Sequence, residues 1–253
     1  MLKGRGWIPD TPDFRDLRLQ AARRSILPAE IDLRPKMPVI YDQGDLGSCT
    51  ANAVAALFEY QQVRRGWADF MPSRLFNYYE ARKAIGTEAS DSGCVIRDAI
   101  KSVNKVGLIS EKELAYDITK FANTPTARMY DNARFHRSVK YQRVPQNLGA
   151  IKDCLAAENP IIFGFMVYES FDEIGADGLM PMPDDDESSF GGHAVLAVGY
   201  KMINNWLYII CRNSWGLDFA DKGYFYMPTK YMLDNNLSDD LWTIQMVGGA
   251  ILN

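Results

Sequence analysis

The sequence predicts an α+β protein in which a helix-forming half precedes a β-forming half. Up to about residue 138, apolar residues recur three and four apart, as on a helix face. Beyond about residue 140, short β-branched and aromatic runs take over. At 253 residues and 47% hydrophobic content, the chain can bury a sizeable core as one large domain or two small ones.

Composition removes several functions. A net charge of −4 argues against a nucleic-acid footprint. No apolar run reaches the roughly 20 residues of a membrane span. Residues 1–7 carry positive charge with no apolar stretch after them, so no secretory signal is seen. A cytoplasmic protein, or one exported without a classical signal, is expected. With two histidines and no Cys-x-x-Cys pair, no metal site or cofactor is expected.

In chain order, residues 1–26 read as an extension. Pro9 and Pro12 exclude a regular helix there. Trp7, Ile8 and Phe14 are too apolar for a free tail, and a basic stretch ends at Arg23-Arg24. Residues 42–53 form a polar loop with Gly44 and Gly47 that runs into an alanine-rich helical pattern over 51–60, so Cys49 stands where a helix begins. The helix's unpaired N–H groups favour a thiolate at that point. A small buried cysteine opening a core helix is an equal reading of this stretch alone.

Ser73 caps a helix over residues 74–82, and residues 96–106 form another, ended by Gly107. Ser110-Glu111-Lys112-Glu113 resembles a capping box. A helix over 147–157 stops before Asn159-Pro160. Strands follow at 161–168, 194–200, 206–210 and 223–227, with Asn204-Asn205 as a hairpin turn. Residues 178–191, with Asp184-Asp185-Asp186-Glu187, read as a solvated loop.

Gly191-Gly192-His193-Ala194 opens the second of these strands, and Cys211-Arg212-Asn213-Ser214-Trp215-Gly216 follows the third. His193 lies 144 residues after Cys49, Asn213 lies 164 after it, and Gln43 stands six before it. This order and flanking sequence resemble the papain-like cysteine peptidases, whose Cys is followed by His and Asn roughly 130–150 residues downstream. Asn213 lies a little beyond that range. The resemblance runs from about Leu27 onward.

The resemblance implies a two-lobed fold, with a helical lobe over about 37–138, an antiparallel β-barrel-like lobe over about 139–253, and the cleft between them. It implies Cys49 as nucleophile, His193 as its acid–base partner, Asn213 as the group that orients His193, Gln43 as an oxyanion donor and Trp215 as a shield over the Asn–His bond. It implies Gly93 and Cys94 as the edge that pairs with an extended peptide, and Val95, Ile96, Gly164, Ala194 and Ile244 as walls and floor of the main pocket. An apolar pocket with no acidic floor suits a hydrophobic residue at the second position before the cut.

Three departures stand out. Leu46 replaces the cysteine that usually forms a disulfide here, which favours a reducing compartment. Thr50 replaces an aromatic, and Phe219 stands near a tryptophan position on the leaving side. His136 has no partner pattern and reads as a structural histidine. The expectation is a monomeric endopeptidase acting on peptide or protein substrates, with residues 1–26 as an intramolecular inhibitor or a strap on the β lobe. A thiol acyltransferase or deamidase, and a non-catalytic peptide-binding protein, are the alternatives.

Overall fold

A computed structural model describes residues 4–20, 26–67, 69–137 and 139–246. Arg23-Arg24 lie outside the described residues. In chain order the elements are β1 (Trp7–Ile8), β2 (Ile31–Asp32), α1 (Cys49–Arg64), α2 (Arg74–Lys83), β3 (Cys94–Val95), α3 (Ile96–Lys105), α4 (Ala127–Ala133), β4 (Val139–Arg143), α5 (Leu148–Ala156), β5 (Ile161–Tyr168), β6 (Ser189–Ile203), β7 (Trp206–Arg212), β8 (Tyr224–Pro228), α6 (Thr229–Leu233) and β9 (Ser238–Met246).

Local chemistry accounts for most boundaries. The Ser73 hydroxyl accepts from Phe76 N at 3.2 Å to start α2, and the Asn147 side chain accepts from Ala150 N at 2.9 Å to start α5. Gly107, at φ +102°, follows α3 where a Cβ would strike the Ala133 carbonyl. Asn204 and Asn205 both take positive φ and close the β6–β7 hairpin, a two-residue turn whose twist matches its strands. The expected capping box at Ser110 caps no helix. Ser110 accepts from Lys112 N and Glu113 N in a turn, because the chain bridges back to Pro72 at that point.

Strands β4-β9-β5-β6-β7-β8 form one antiparallel sheet, with β2 added on β6. The strand period of two splits its side chains between two cores. Ile162, Ala194, Leu196 and Val198 face α1 and α3. Ile161, Phe163, Val195 and Ala197 face the second core with α5 and α6. Helix α1 is buried on all sides, as an alanine-rich helix wedged between helices and a sheet should be.

The N-terminal extension divides into two parts. β1 pairs in parallel with β3, Trp7 opposite Cys94, and Trp7 is 7% exposed. Further on, Arg143 N donates to Leu17 O and Leu19 N to Arg143 O, both at 2.8 Å, along the edge of β4. Phe14, expected to dock, is 99% exposed.

A bulge in β9 matters for the site. Ile162 pairs with Trp242 but Gly164 pairs with Asp239, so β9 carries one extra residue. Asp240 takes φ +57° there and is fully buried.

Candidate active site

The site lies where the first turn of α1 meets the start of β6. Cys49 opens α1 and is fully buried, and the nearby backbone N–H groups of Ala194 and Gly6 favour its thiolate. Its neighbour Thr50 donates to the Cys94 carbonyl at 3.3 Å. The small hydroxyl that replaces an aromatic therefore ties the start of α1 to β3.

His193 Nε2 and Asn213 Oδ1 lie 2.8 Å apart, and the Trp215 ring sits 4.8 Å from the imidazole, centroid to centroid. Asn213 Oδ1 also accepts from Ser214 N at 2.8 Å, which fixes the amide. His193 Nδ1 is buried and takes no hydrogen bond among the described residues. On the other side of Cys49, the Ser214 hydroxyl donates to Gln43 Oε1 at 2.6 Å, which leaves Gln43 Nε2 to donate to the carbonyls of Leu46 (2.8 Å) and Gly4 (2.9 Å).

Residues 4–8 of the chain itself thus fill the site. Gly4 and Gly6 pass so close to Leu46 and Gly47 that a Cβ on either would strike a backbone carbonyl. Cys94 N donates to Gly6 O at 2.8 Å. The Gly6 carbonyl is thus turned onto β3.

Burial dominates the electrostatics of the filled site. It raises the Cys49 thiol above its ordinary value, against the pull of the two N–H groups. It lowers His193 to about 4, helped by the Arg5 charge and opposed by the Asn213 hydrogen bond and Asp172. Thiol and imidazole are both neutral at pH 7 in this state.

The main pocket holds the Trp7 indole. A Cβ at Gly164 or Gly192 would run into that ring, so these glycines make the space. Cys94 lies opposite Trp7 and Val95 opposite Ile8, with Gly93 just before them. Ile96 and Ala194 are buried in the core that contains Trp7.

The expected floor needs correction. Ile244 sits further along β9, opposite Tyr141, with its carbonyl taken by Gln61 at 3.0 Å. The group that meets the indole is Asp240, whose Oδ2 accepts from Trp7 Nε1 at 3.1 Å and from Asp10 N at 2.7 Å. The pocket therefore has an acidic floor, because the β9 bulge turns Asp240 inward.

Asp240 is held by Arg143 Nη2 at 2.6 Å. The Asp10 carboxylate sits in the same group, accepting from Trp242 Nε1 at 2.8 Å. Burial and the neighbouring Asp240 charge raise Asp10 to about 7, and burial likewise raises Asp240. The acidic pair Asp239-Asp240 just before the apolar Leu241-Trp242 in β9 was the sequence signal for this floor. His136, read as a structural histidine, packs edge-on against Phe70 at 4.6 Å, and Phe219 packs against Trp215 at 5.1 Å.

A thiol at a helix mouth, an imidazole held by an amide and a cleft between helices and sheet define a thiol peptidase. Residues 27–239 match the papain family cysteine protease model, and the chain belongs to that family. It is 38% identical to an uncharacterized peptidase C1-like protein of Acanthamoeba polyphaga mimivirus, over 98% of this chain and 88% of the relative. It is similar to the crystal structure of xylellain, a cysteine protease from Xylella fastidiosa, with 37% identity, TM-score 0.91 and 97% of each chain covered. Digestive procathepsin L 3 of Tenebrio molitor shares the fold at 20% identity and TM-score 0.72, over 96% of this chain and 76% of its own. The protein is a cysteine peptidase with the α+β fold of that family. All four cysteines are free and buried.

Proposed function

We propose that this peptidase is an endopeptidase that attacks peptide carbonyls with Cys49 and holds its own N-terminal residues 4–8 in the cleft as an inhibitor. The observation that carries this reading is that residues 4–8 lie across the cleft: Trp7 and Ile8 pair with Cys94 and Val95, and the Gly4 carbonyl accepts from Gln43 Nε2 at 2.9 Å. The segment covers the oxyanion donor, and the Gly6 carbonyl is turned onto Cys94 N. When it leaves, water returns, the burial that kept the pair neutral is relieved, and the proton passes from Cys49 to His193.

The thiolate then adds to the scissile carbonyl carbon. Its oxygen becomes an oxyanion facing the Gln43 amide and the Cys49 N–H, each donor being worth about 3 kcal/mol. His193 gives its proton to the leaving nitrogen, the C–N bond breaks, and a thioester remains. His193 next takes a proton from water, whose oxygen adds to the thioester carbon. The C–S bond breaks and the thiol is restored. Asn213 holds the ring in line throughout, and its neutral amide suffices because the imidazolium is balanced by the thiolate. The pocket that seats Trp7 takes a large apolar side chain, best one with a donor at its tip for Asp240.

Cys49→Ala and His193→Ala are expected to abolish cleavage of a peptidyl coumarin. Asn213→Ala should cost about 10²-fold, as a misplacement does. Turnover retained by Cys49→Ala would overturn the assignment. Mass analysis of the products, acid against amide or ligated peptide, separates hydrolysis from acyl transfer.

A further inference from the structure

The N-terminal segment touches the cleft on both sides of the sulfur. Trp7 lies toward Cys94, on the side that holds the residues before the cut. Arg5 lies on the opposite side, toward Trp215 and hence toward the leaving group. Its Nη2 donates to both carboxylate oxygens of Asp172, at 2.7 and 2.8 Å. Its guanidinium stands 5.1 Å from the Phe190 ring centroid and 5.9 Å from that of Trp215. The Arg5 side chain is 9% exposed, although Asp172 is 42% exposed.

These partners belong to the body of the protein and are fixed there. Asp172 sits on the short turn Glu169–Glu173 after β5. The buried ring of Phe171 anchors that turn against Trp215 at 5.5 Å, and Ser170 N donates to Glu187 at 2.9 Å. Asp184-Asp185-Asp186 precede Phe190 and add charge of the same sign nearby. A carboxylate beside two aromatic faces suits a planar cation, and arginine more than lysine, because guanidinium stacks and donates in a fork.

We propose that Asp172, with Phe190 and Trp215, forms a leaving-side subsite that selects an arginine within the first two residues after the cut. On this view Arg5 occupies the subsite as a stand-in for substrate. The inference rests on the peptidase reading above. It adds a specificity determinant that the nucleophile, its partners and the Trp7 pocket do not supply.

The test uses the full chain and its Arg5→Ala variant, which vacates the subsite. Internally quenched peptides share one sequence before the cut and carry Arg, Lys, Gln or Glu at the first or second residue after it. Each kcat/KM is divided by that for a peptidyl coumarin, which has no residue there, so occupancy of the cleft by the segment cancels. The expected order is Arg, Lys, Gln, Glu, with Arg over Gln by at least about tenfold, the size of one favourable charged contact. Asp172→Asn should bring that ratio near one, and Asp172→Lys should place Glu above Arg. A role for Asp172 in clamping Arg5 alone predicts ratios near one in every variant and would overturn the proposal. If coumarin and peptides are all left uncut by both chains, the peptidase reading falls, and this inference with it.

Discussion

The two parts of the N-terminal extension dock by opposite means. Residues 4–8 are held by shape and side chains: glycines with no room for a Cβ, an indole in a pocket, and a guanidinium on a carboxylate. Residues 17–19 are held by backbone hydrogen bonds to Arg143, while Leu17 remains 60% exposed. Such pairing covers the open edge of β4 and asks little of the side chains. The first part is specific to the cleft, and the second would serve almost any sequence. Asp10 and Asp16 join them through Arg97 and Arg143. On the proposed reading, a strap that stays paired keeps the cleft-filling part at high local concentration, so the proposed inhibition would not depend on intrinsically tight binding. The sequence reading set a cleft-crossing segment against a strap on the β lobe, and the two kinds of contact occur in different residues.

The largest expected effect separates these parts most sharply. Trp7→Ala removes a buried indole, a change that costs about 3–5 kcal/mol in a core. Peptidyl-coumarin hydrolysis should rise at least tenfold. Unchanged kcat/KM would mean that residues 4–8 do not inhibit.

Leu19→Pro should act on the other part alone. It deletes the N–H that donates to Arg143, worth about 1 kcal/mol. The melting temperature should fall by about 2–4 °C with less than a twofold change in hydrolysis. A rise as large as that of Trp7→Ala would show that strap and cleft segment act as one unit.

Asp10→Asn gives a pH signature. The docked value of Asp10 is raised to about 7, while the free segment has the ordinary value near 3.9. Its contribution to docking is therefore full below about 4 and is lost as pH rises through 7. His193 works in the opposite sense. Its docked value is lowered to about 4 from about 6.5, so its contribution is full above 6.5 and is lost as pH falls through 4. The two oppose each other in the wild type. With Asn at position 10 only the His193 effect remains, so the variant's activity relative to wild type should fall several-fold from pH 5 to pH 8. A flat ratio would show that Asp10 does not sense the docked state.

A reductant test bears on the body beneath both parts. Since all four cysteines are free, strong reductant should leave the melting temperature unchanged. A large fall would reveal a bridge.

Much of the fold was legible because its signals are local. Ser73 and Asn147 cap their helices, Asn204-Asn205 turns its hairpin, and the run that opens at Cys49 is a helix from its first residue. The juxtaposition of His193 and Asn213 followed from motif order. The Ser110 capping box failed because the same residues serve a turn, and bridging to Pro72 decided between the two.

The sequence by itself determined the element types and the family, since each is carried by short runs of residues whose neighbours constrain them. Tertiary structure alone decided what surrounds the candidate site. Asp240 reaches the Trp7 pocket only because β9 slips by one residue against β5, and Asp172 faces Arg5 only because Phe171 pins its turn to Trp215. The physical reason is that a pocket wall is assembled from residues more than a hundred positions apart, and the strand register and ring packing that align them are properties of the folded sheet, encoded in no single stretch of chain.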